Sequence, residues 1–458
     1  MPQDRSLSPS KGLSPSDGRS LSPSKGLSPS KGRTAGRGVL ELLPAFVVAC
    51  LILPYVIAYG TIRPWHPSTI DLEVYVYAVK DMLTGRDIFA TTTPFWNLYF
   101  IYPPIAAVLM VPLAFGPYVM WQLIWTAALV LAQQSVLRRC GVPRGWKLAL
   151  LGVVVVLVVE PIRTTLGYGQ VNTLLMALVV ADLLPDRPAK PGEPPVRRWI
   201  PQGTLIGLAA AIKLTPALFV VFAFLLGRRR LAFTAMISFA VFTAIGAVLL
   251  YEETKAFFGG LSGGDTRTAS PLYAGNQSLL GVFFRLGDSS RTTTLIGLGV
   301  AGLVALLGAV VAASWWRRGE PVFAVALVGL CTNLASPLSW THHYVWILPM
   351  AVAVVMRTGL PRWVRGLAGF WVVWVSACLP LAVLPYGGGR ERSFTFGQQL
   401  VANLGPVVGL VLVVGLAWQL VVTARARTAV GESDEIVAEN LPDQVFGPLG
   451  DSGGRDVD

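Results

Sequence analysis

The stretch Tyr102–Gly116, YPPIAAVLMVPLAFG, decides how this chain is threaded through a membrane. It is apolar throughout but shorter than the ~20 helical residues that cross a ~30 Å hydrocarbon core. About twelve other apolar runs flank it. Whether this run crosses the bilayer therefore sets the side on which every later loop lies.

The composition of the chain is that of a membrane protein. Of its 458 residues, 53% are hydrophobic and 14% charged, with a mean hydropathy of +0.59. A soluble globular chain carries roughly 25% charged residues. These values exclude a soluble enzyme, a disordered protein and a nucleic-acid-binding domain. The net charge of +12 is typical of basic cytoplasmic loops, so we expect membrane lipids and no nucleic acid as partners.

The other apolar runs are spread along most of the chain, and several are short for a crossing. Short spans are tolerated where helices line a water-filled cavity. The runs lie at about 39–59, 118–137, 147–159, 170–184, 200–212, 214–226, 231–251, 293–314, 320–335, 344–356, 366–384 and 399–423.

The distribution of positive charge indicates whether Tyr102–Gly116 crosses the membrane. If Tyr102–Gly116 does not cross, most of the 37 Lys and Arg residues lie on the side of the N-terminal tail, which is then cytoplasmic. If it crosses, every later loop changes side, and the Lys and Arg residues no longer concentrate in cytoplasmic loops as they do in membrane proteins. The stretch is therefore predicted to be an interfacial or re-entrant helix in a long outer loop, about 60–117. We expect an all-α polytopic membrane protein with about 12 transmembrane helices and both termini cytoplasmic.

Both ends of the chain differ from this membrane domain. LSPSKG or LSPSDG recurs at 7–12, 13–18, 21–26 and 27–32, and such a sequence buries too little apolar area to fold. We predict disordered cytoplasmic tails at 1–38 and 426–458 around a membrane domain at 39–425. The four cysteines and three histidines show no metal-ligand or disulfide spacing, so neither a metal nor another cofactor is expected.

With this threading, the unusual polar residues collect on the outer side. The first outer loop contains DLEVY, and the turn after the third span reads EPIRTTLGYGQVN. Lys213 lies at the apex between two short spans, and a histidine pair ends the ninth. The candidate site residues are Asp71, Glu73, Arg163, Gln170, Asn172, Lys213, Asn276, Gln277, His342 and His343.

Each of these residues also has a purely structural interpretation. Asp71 could cap a helix, and Lys213 could extend its ammonium group to the interface. Pro216 and the short flanking spans instead place Lys213 at a break in the membrane, where an ionisable side chain indicates function. The pair His342–His343 could belong to an interfacial aromatic belt with Trp340. Four amide side chains could hydrogen-bond either to unpaired backbone groups at helix breaks or to a ligand: Gln170, Asn172, Asn276 and Gln277.

A carboxylate, a lysine and histidines on the outer face suit glycosyl transfer. The carboxylate can take the proton of an attacking hydroxyl, and Lys, Arg or His can stabilise the charge on a phosphate leaving group. The sequence has no Gly-rich phosphate loop or Walker motif for a soluble nucleotide donor. A donor that reaches the outer face would be lipid-linked, which predicts transfer from a polyprenyl phosphate sugar.

Six motifs in order resemble glycosyltransferase family 87, whose members are actinobacterial membrane enzymes. The resemblance runs from about residue 40 to 425. The motifs are DLEVY (Asp71–Tyr75), YPPIAAVL (Tyr102–Leu109), GQVNTLLMAL (Gly169–Leu178), GLAAAIKLTPAL (Gly207–Leu218), NQSLLG (Asn276–Gly281) and SPLSWTHHYVWILP (Ser336–Pro349).

This resemblance implies a GT-C fold and an inverting α-(1→2)-mannosyltransferase of cell-envelope glycolipid synthesis. The donor would be polyprenyl phosphate mannose, and the acceptor a lipid-linked mannoside of the phosphatidylinositol mannoside or lipomannan type. The family's outer-loop aspartate falls on Asp71 as general base. Lys213 and one of His342 and His343 fall where members contact the donor phosphate. Transfer is expected to be independent of a metal and to occur on the extracytoplasmic face.

Two alternatives remain open on the sequence. The same motifs fit an arabinofuranosyltransferase that uses polyprenyl-phosphate arabinose. A lipid or solute transporter would show related halves and broken helices near the midplane. The chain has no convincing internal repeat, and its polar residues gather on one face. A transporter should also tolerate loss of Asp71 better than an enzyme would.

Overall fold

The computed structural model describes residues 31–53, 55–58, 61–64, 69–186, 198–263, 270–357 and 359–439. Helices dominate this part of the chain. They are α1 (Lys31–Ile52), α2 (Ile70–Leu83), α3 (Pro104–Leu109), α4 (Tyr118–Arg139), α5 (Trp146–Val158), α6 (Glu160–Tyr168), α7 (Asn172–Leu183), α8 (Thr204–Ile212), α9 (Leu218–Leu225), α10 (Arg229–Leu249), α11 (Tyr251–Gly263), α12 (Leu279–Leu286), α13 (Arg291–Arg317), α14 (Pro321–Ala335), α15 (Ile347–Met356), α16 (Arg362–Ala377), α17 (Leu379–Val383) and α18 (Phe396–Glu439). Short 3-10 segments lie at Val111–Ala114, Thr215–Ala217, Thr341–Trp346 and Arg390–Ser393.

One short hairpin departs from the all-α expectation. Strand β1 (Tyr55–Ala58) pairs antiparallel with β2 (Thr61–Pro64), with Tyr55 opposite Pro64. The sequence supplies a reason, because Pro54 cannot continue the preceding helix. The β-branched residues that follow it favour an extended chain.

The predicted tails are mostly outside the described residues. Residues 1–30 carry nearly all of the LSPSKG repeats, and residues 440–458 close the chain; neither stretch is described. Within the described part, α1 begins at Lys31 and α18 ends at Glu439. The division at 38 and 426 therefore stays a prediction.

Several helices have the length and composition of membrane spans. Among the described residues, five qualify: α4, α10, α13, α16 with α17, and α18. Helices α5 and α6 form a sixth if they count as one span bent by 81°. Large apolar side chains on these helices face outward, such as Leu303 at 69% and Trp418 at 67% exposed. The chain is a multi-pass membrane protein, and the count of about twelve crossings stays a prediction.

The stretch Tyr102–Gly116 forms two short pieces rather than one long helix. Helix α3 begins after Pro103, and the 3-10 segment Val111–Ala114 follows it. Pro112 interrupts the run because it has no amide hydrogen to donate and its ring crowds the carbonyl four residues earlier, which disfavours a continuous helix. Neither piece has the ~20 residues that a crossing needs. Residues 104–107 are buried and α3 packs against α10 and α2.

Breaks between apolar helices bring the polar segments together. Helix α14 is the centre of the core, with residues 322–334 all buried. Around it, the chain breaks where Pro or Gly marks the sequence: between α5 and α6, between α6 and α7, between α8 and α9, and between α14 and α15. At the second, third and fourth of these breaks lie half of the candidate site residues: Gln170, Asn172, Lys213, His342 and His343.

Candidate active site

Asp71 lies in the first turn of α2 and does not cap it. Thr69 precedes the helix with φ 61° and ψ 43°, and its amide donates to the Gly167 carbonyl at 2.7 Å. The Tyr118 hydroxyl donates to the Thr69 carbonyl at 2.9 Å, and the Gln122 amide donates to its Oγ1 at 2.8 Å. These bonds fix the start of α2, and with it Asp71, against the α6–α7 turn.

Gly169 allows this close approach. It has φ +70°, where residues with a side chain are strained, and a Cβ there would lie 2.7 Å from Leu72 Cβ. Glycine thus allows both the positive φ of the turn and its close approach to Leu72. The next residue, Gln170, is 5% exposed and is brought beside the Asp71 carboxylate, to which it is hydrogen-bonded.

Two tyrosines orient Gln170. The Tyr102 hydroxyl donates to Gln170 Oε1 at 2.9 Å, and the Tyr75 hydroxyl lies 3.1 Å from the Tyr102 oxygen and 3.3 Å from Oε1. Because Oε1 accepts, the amide nitrogen of Gln170 is the atom that can donate to Asp71. Tyr75 follows Asp71 by one helical turn, so both side chains share one face of α2.

The Asp71 carboxyl is poised to exchange a proton near neutral pH. Burial raises its pKa to about 7, while the Gln170 hydrogen bond and the positive charge of Lys213 favour the ionised form. Oδ2 is enclosed and accepts no hydrogen bond from any described residue. A carboxylate with this pKa and an unsatisfied oxygen has the properties of a general base.

Lys213 points into the site rather than out to the interface. It ends α8, where Pro216 and the 3-10 segment after it stop the helix. Its Nζ donates to Asn172 Oδ1 at 3.0 Å and lies 3.2 Å from His343 Nε2. The same ammonium lies 5.4 Å from the centroid of the Tyr102 ring. Tyr102 therefore joins the Asp71 and Lys213 halves of the site.

His343 is the histidine that contacts Lys213. An ammonium group can only donate, so Nε2 of His343 accepts this bond and the ring is neutral. The main chain of His343 is held by Asn333, whose Nδ2 donates to its carbonyl at 3.2 Å. A cavity of ≈ 20 Å³ borders these groups, and its polar lining residues are Asn172, Lys213, Thr215, Thr332, Asn333 and His343.

His342 packs against the His343 ring, with centroids 4.7 Å apart, but has no hydrogen bond to Lys213. Its carbonyl accepts hydrogen bonds from Thr165 Oγ1 at 2.8 Å and from Asn172 Nδ2 at 3.0 Å. Its ring packs edge-on against Tyr168, with centroids 5.1 Å apart. Nε2 is buried and makes no hydrogen bond with the described residues. The tight 3-10 segment thus separates the two histidines into neighbouring environments.

The aromatic-belt alternative for the histidines does not fit their neighbours. Tyr344 and Trp346, on the same segment, are 1% and 6% exposed. Residues of an interfacial belt keep their polar tips in the headgroup region. Tyr344 instead donates to the Gln277 carbonyl at 2.6 Å inside the protein.

Asn276 and Gln277 use their side chains on the backbone. Asn276 Nδ2 donates to the carbonyls of Pro271 and Pro337, and its Oδ1 accepts from the Ser339 amide. Gln277 Nε2 donates to the carbonyls of Ala274 and Ala402. These bonds brace the α11–α12 loop against the segment after α14, and they favour the structural interpretation over ligand contact.

Arg163 and Glu73 have no hydrogen bond to the Asp71–Lys213 group among the described contacts. Arg163 donates to the Leu157 carbonyl at 3.4 Å. Burial raises the pKa of Glu73. Glu73 follows Asp71 by two residues on α2, so the two side chains do not share a helix face. Asp265 and Arg267 of the predicted outer loop lie outside the described residues.

Sequence reasoning missed four residues of the site. Tyr75 and Tyr102 lie in quoted motifs, and the spacing of Tyr75 from Asp71 indicated a shared helix face. Thr165 and Asn333 fix the histidine segment through its carbonyls, which no sequence pattern reveals. The described residues contain no group of three or more His, Cys, Asp or Glu side chains that could hold a metal ion, and metal-independent transfer stays a prediction.

Comparison with known proteins shows the family to which the chain belongs. Residues 100–337 match glycosyltransferase family 87. The chain is 32% identical over 400 residues, 78% of its length and 86% of the relative's, to a polyprenol-phosphate-mannose-dependent alpha-(1-2)-phosphatidylinositol mannoside mannosyltransferase of Mycobacterium tuberculosis.

Two further relatives show a similar likeness. A protein of the same description from Mycolicibacterium smegmatis is 29% identical over 81% of this chain and 87% of its own length. A phosphatidylinositol pentamannoside mannosyltransferase from M. tuberculosis is 33% identical over 65% of this chain and 69% of its own length. No solved structure matches the chain. With the family match covering the Tyr102–Lys213 half of the site and the relatives spanning most of the chain, this protein belongs to glycosyltransferase family 87.

Proposed function

We propose that this enzyme transfers mannose from polyprenyl phosphate mannose to a lipid-linked mannoside, with inversion, forming an α-(1→2) linkage. The observation that carries the proposal is that the Asp71 carboxyl and the Lys213 ammonium lie close enough to interact, with Tyr102 beside both through Gln170 and its own ring. The names of the relatives supply the donor and the class of acceptor.

Asp71 acts as general base in this mechanism. Its ionised carboxylate takes the proton of the acceptor 2-hydroxyl while the hydroxyl oxygen bonds to the anomeric carbon of the donor mannose. The bond from that carbon to the phosphate oxygen breaks, and attack on a β-linked donor yields an α linkage. The raised pKa strengthens the base, and about half of the carboxyl remains ionised near pH 7.

Lys213 and His343 receive the leaving group. As the glycosidic bond breaks, the polyprenyl phosphate gains negative charge. The Lys213 ammonium therefore interacts more strongly with the leaving group in the transition state than with the donor in the ground state. Asn172 and His343 hold Nζ in place through hydrogen bonds at 3.0 and 3.2 Å. Preorganised charge of this kind does not have to reorient during the reaction.

The proposed site faces the extracytoplasmic side, with both termini cytoplasmic. This orientation rests on the positive charge of the predicted loops on the opposite side. A lipid-linked donor suits it, because such a donor reaches the outer face without a soluble nucleotide sugar. The GT-C fold and the count of about twelve crossings belong to this proposal.

The test is transfer of labelled mannose from polyprenyl phosphate mannose to a lipid-mannoside acceptor in membranes. Wild type should transfer, and Asp71→Asn should lose about 10²–10⁴-fold at matched expression. Glu253→Gln, on the outer helix α11, is the matched control and should transfer normally.

Each other outcome overturns part of the proposal. Equal transfer by Asp71→Asn would remove Asp71 as the base. No transfer by wild type, with transfer from polyprenyl-phosphate arabinose, would replace mannose by arabinose as the sugar. Failure with both donors, with movement of a lipid or solute across vesicles, would identify a transporter.

A further inference from the structure

Four half-buried aromatic residues lie beside the candidate active site without a role in the proposed chemistry. Tyr273 packs edge-on against Trp340, with centroids 5.8 Å apart, and against Tyr386 at 5.4 Å. Tyr168 interacts electrostatically with Tyr273 and Tyr386, and also with Asp71. We call Tyr168, Tyr273, Trp340 and Tyr386 the aromatic cluster. The electrostatic interaction of Tyr168 with Asp71 places the cluster near the catalytic carboxylate.

A second buried carboxylate adjoins this cluster. Glu160 is 8% exposed and interacts electrostatically with Tyr168. Its Oε1 accepts from Thr164 Oγ1 at 2.6 Å. Thr341 and Cys378 also hydrogen-bond to the carboxyl group, and Oε2 is enclosed without a donor in good geometry among the described residues. A buried carboxylate oxygen without a donor is costly unless a ligand satisfies it.

The cluster is held in shape by a third buried acid. Glu391, 1% exposed, accepts from the Ala274 amide at 3.2 Å and from the Gly387 amide at 2.7 Å through one oxygen. These amides belong to the residues that directly follow Tyr273 and Tyr386. Arg285 adds a hydrogen bond to the Tyr273 carbonyl at 3.1 Å. The two tyrosines are therefore positioned before any ligand arrives.

We infer that the aromatic cluster and Glu160 form the subsite for the terminal pyranose ring of the acceptor glycan. A pyranose has one apolar face of C–H groups, which packs on aromatic rings, and hydroxyls at its edge, which donate to a carboxylate. Tyr and Trp supply rigid apolar area with a polar tip, and Glu160 supplies the acceptor oxygen. All of these residues lie in segments predicted to be on the outer side.

This inference rests on the proposed function, since it assigns the sugar that presents its hydroxyl to Asp71. A ring on the aromatic cluster would lie beside Tyr168, next to that carboxylate. The polyprenyl phosphate would lie at Lys213 and His343, which line the neighbouring cavity. The aromatic cluster and this cavity thus give acceptor and donor separate sets of contacts near Asp71.

The first experiment separates acceptor binding from donor binding. Tyr386→Ala should raise the acceptor KM by about tenfold while the donor KM stays within about twofold, since only ground-state contact with the acceptor is lost. Tyr386→Phe keeps the ring and should stay near wild type. Tyr251→Ala, an exposed tyrosine on α11, is the matched control. An unchanged acceptor KM in a folded Tyr386→Ala enzyme would overturn the inference.

The second experiment uses no donor. Binding of a lipid mannoside to purified wild type should exceed binding of the same lipid without sugar, and Glu160→Gln or Tyr386→Ala should remove that difference. A persistent difference in both variants would overturn the subsite. If the difference is present but no mannose is transferred, the subsite stands and the proposed donor fails.

Glu391 is tested as a positioning residue. Glu391→Ala frees both amides and should raise the acceptor KM with little change in the donor KM. Glu391→Gln retains a carbonyl oxygen that can accept both bonds and should restore the acceptor KM toward wild type. Equal acceptor and donor effects in Glu391→Ala, without rescue by Gln, would indicate general destabilisation and contradict the positioning role.

Discussion

Two aspartates in this protein lie in enclosed positions but have opposite surroundings. Asp182, on α7, is 1% exposed, and its Oδ2 accepts the backbone amides of Gly203, Leu205 and Ile206 at 2.9–3.0 Å. Arg198 also lies 3.4 Å from its Oδ1. Asp71, on α2, has an enclosed Oδ2 that accepts no hydrogen bond from a described residue.

The difference separates a structural acid from a reactive one. Asp182 satisfies the unpaired amides at the start of α8, where a negative charge is favourable. Asp71 is near a positive charge and one amide, which is too little to offset burial, and its pKa rises to about 7. Neither burial nor an unsatisfied oxygen alone identifies the base, since Glu160 has both; Asp71 combines them with the nearby charge of Lys213.

Among the substitutions that test the reactive surroundings of Asp71, the largest loss of transfer is expected at Lys213. Lys213→Ala should reduce transfer by about 10²–10³-fold, because the charge on the leaving phosphate loses its stabilising partner. Membrane insertion should be unchanged. Lys255→Ala, an exposed lysine on α11, is the control in the labelled-mannose assay. Near-normal transfer by Lys213→Ala would remove Lys213 from the site.

Removal of the structural acid should affect stability rather than chemistry. Asp182→Ala leaves three buried amides without their acceptor and should lower the free energy of unfolding by about 1–3 kcal/mol or more. Thermal denaturation in detergent measures this change. Transfer per folded molecule should stay near wild type, and a selective loss of transfer would assign Asp182 to the active site.

The pH profile of the wild-type enzyme tests the pKa assigned to Asp71. Asp71 must be ionised to accept a proton, and its pKa of about 7 predicts that kcat/KM rises as the pH increases from acidic to neutral values. Below about pH 7 the rate should fall roughly tenfold per pH unit. A flat profile between about pH 5 and 8, in enzyme that recovers full activity on return to neutral pH, would contradict a base with this pKa.

A smaller shift of the same profile is expected from Gln170. Gln170→Leu removes the hydrogen bond that favours the ionised carboxylate, so the pKa of Asp71 should rise further. The midpoint of kcat/KM against pH should move to higher pH, by roughly one unit or less. Tyr102→Phe should move it in the same direction and by less. A shift to lower pH would reverse the role assigned to Gln170.

Much of the architecture was accessible from the sequence. The apolar runs fall in order on α1, α4, α5, α7 to α10, α13 to α15, α16 with α17, and α18, and Pro112 explains why Tyr102–Gly116 splits into two short pieces. The hairpin after α1 was not predicted, because a short β-branched run of four residues is easily read as part of an apolar helix. The side of the membrane follows only from charge and stays a prediction.

The candidate site was predicted in part. Asp71, Gln170, Asn172, Lys213 and His343 come together, and polar residues at helix breaks indicated them. Tyr102 could not be assigned because its partner Gln170 is far along the chain, and pairing over that distance depends on packing. Asn276 and Gln277 look like ligand contacts in sequence, yet their amides satisfy loop carbonyls that only the fold reveals.

The most direct test compares Asp71→Asn with Asp182→Asn in the same preparation, measuring both mannose transfer and thermal stability. Asp71→Asn should lose transfer by about 10²–10⁴-fold and unfold no earlier than wild type, since it removes a charge that burial disfavours. Asp182→Asn should keep transfer per folded molecule and unfold at a lower temperature. Retained transfer by Asp71→Asn, or loss of transfer only in Asp182→Asn, would contradict the assignment of Asp71 as the base.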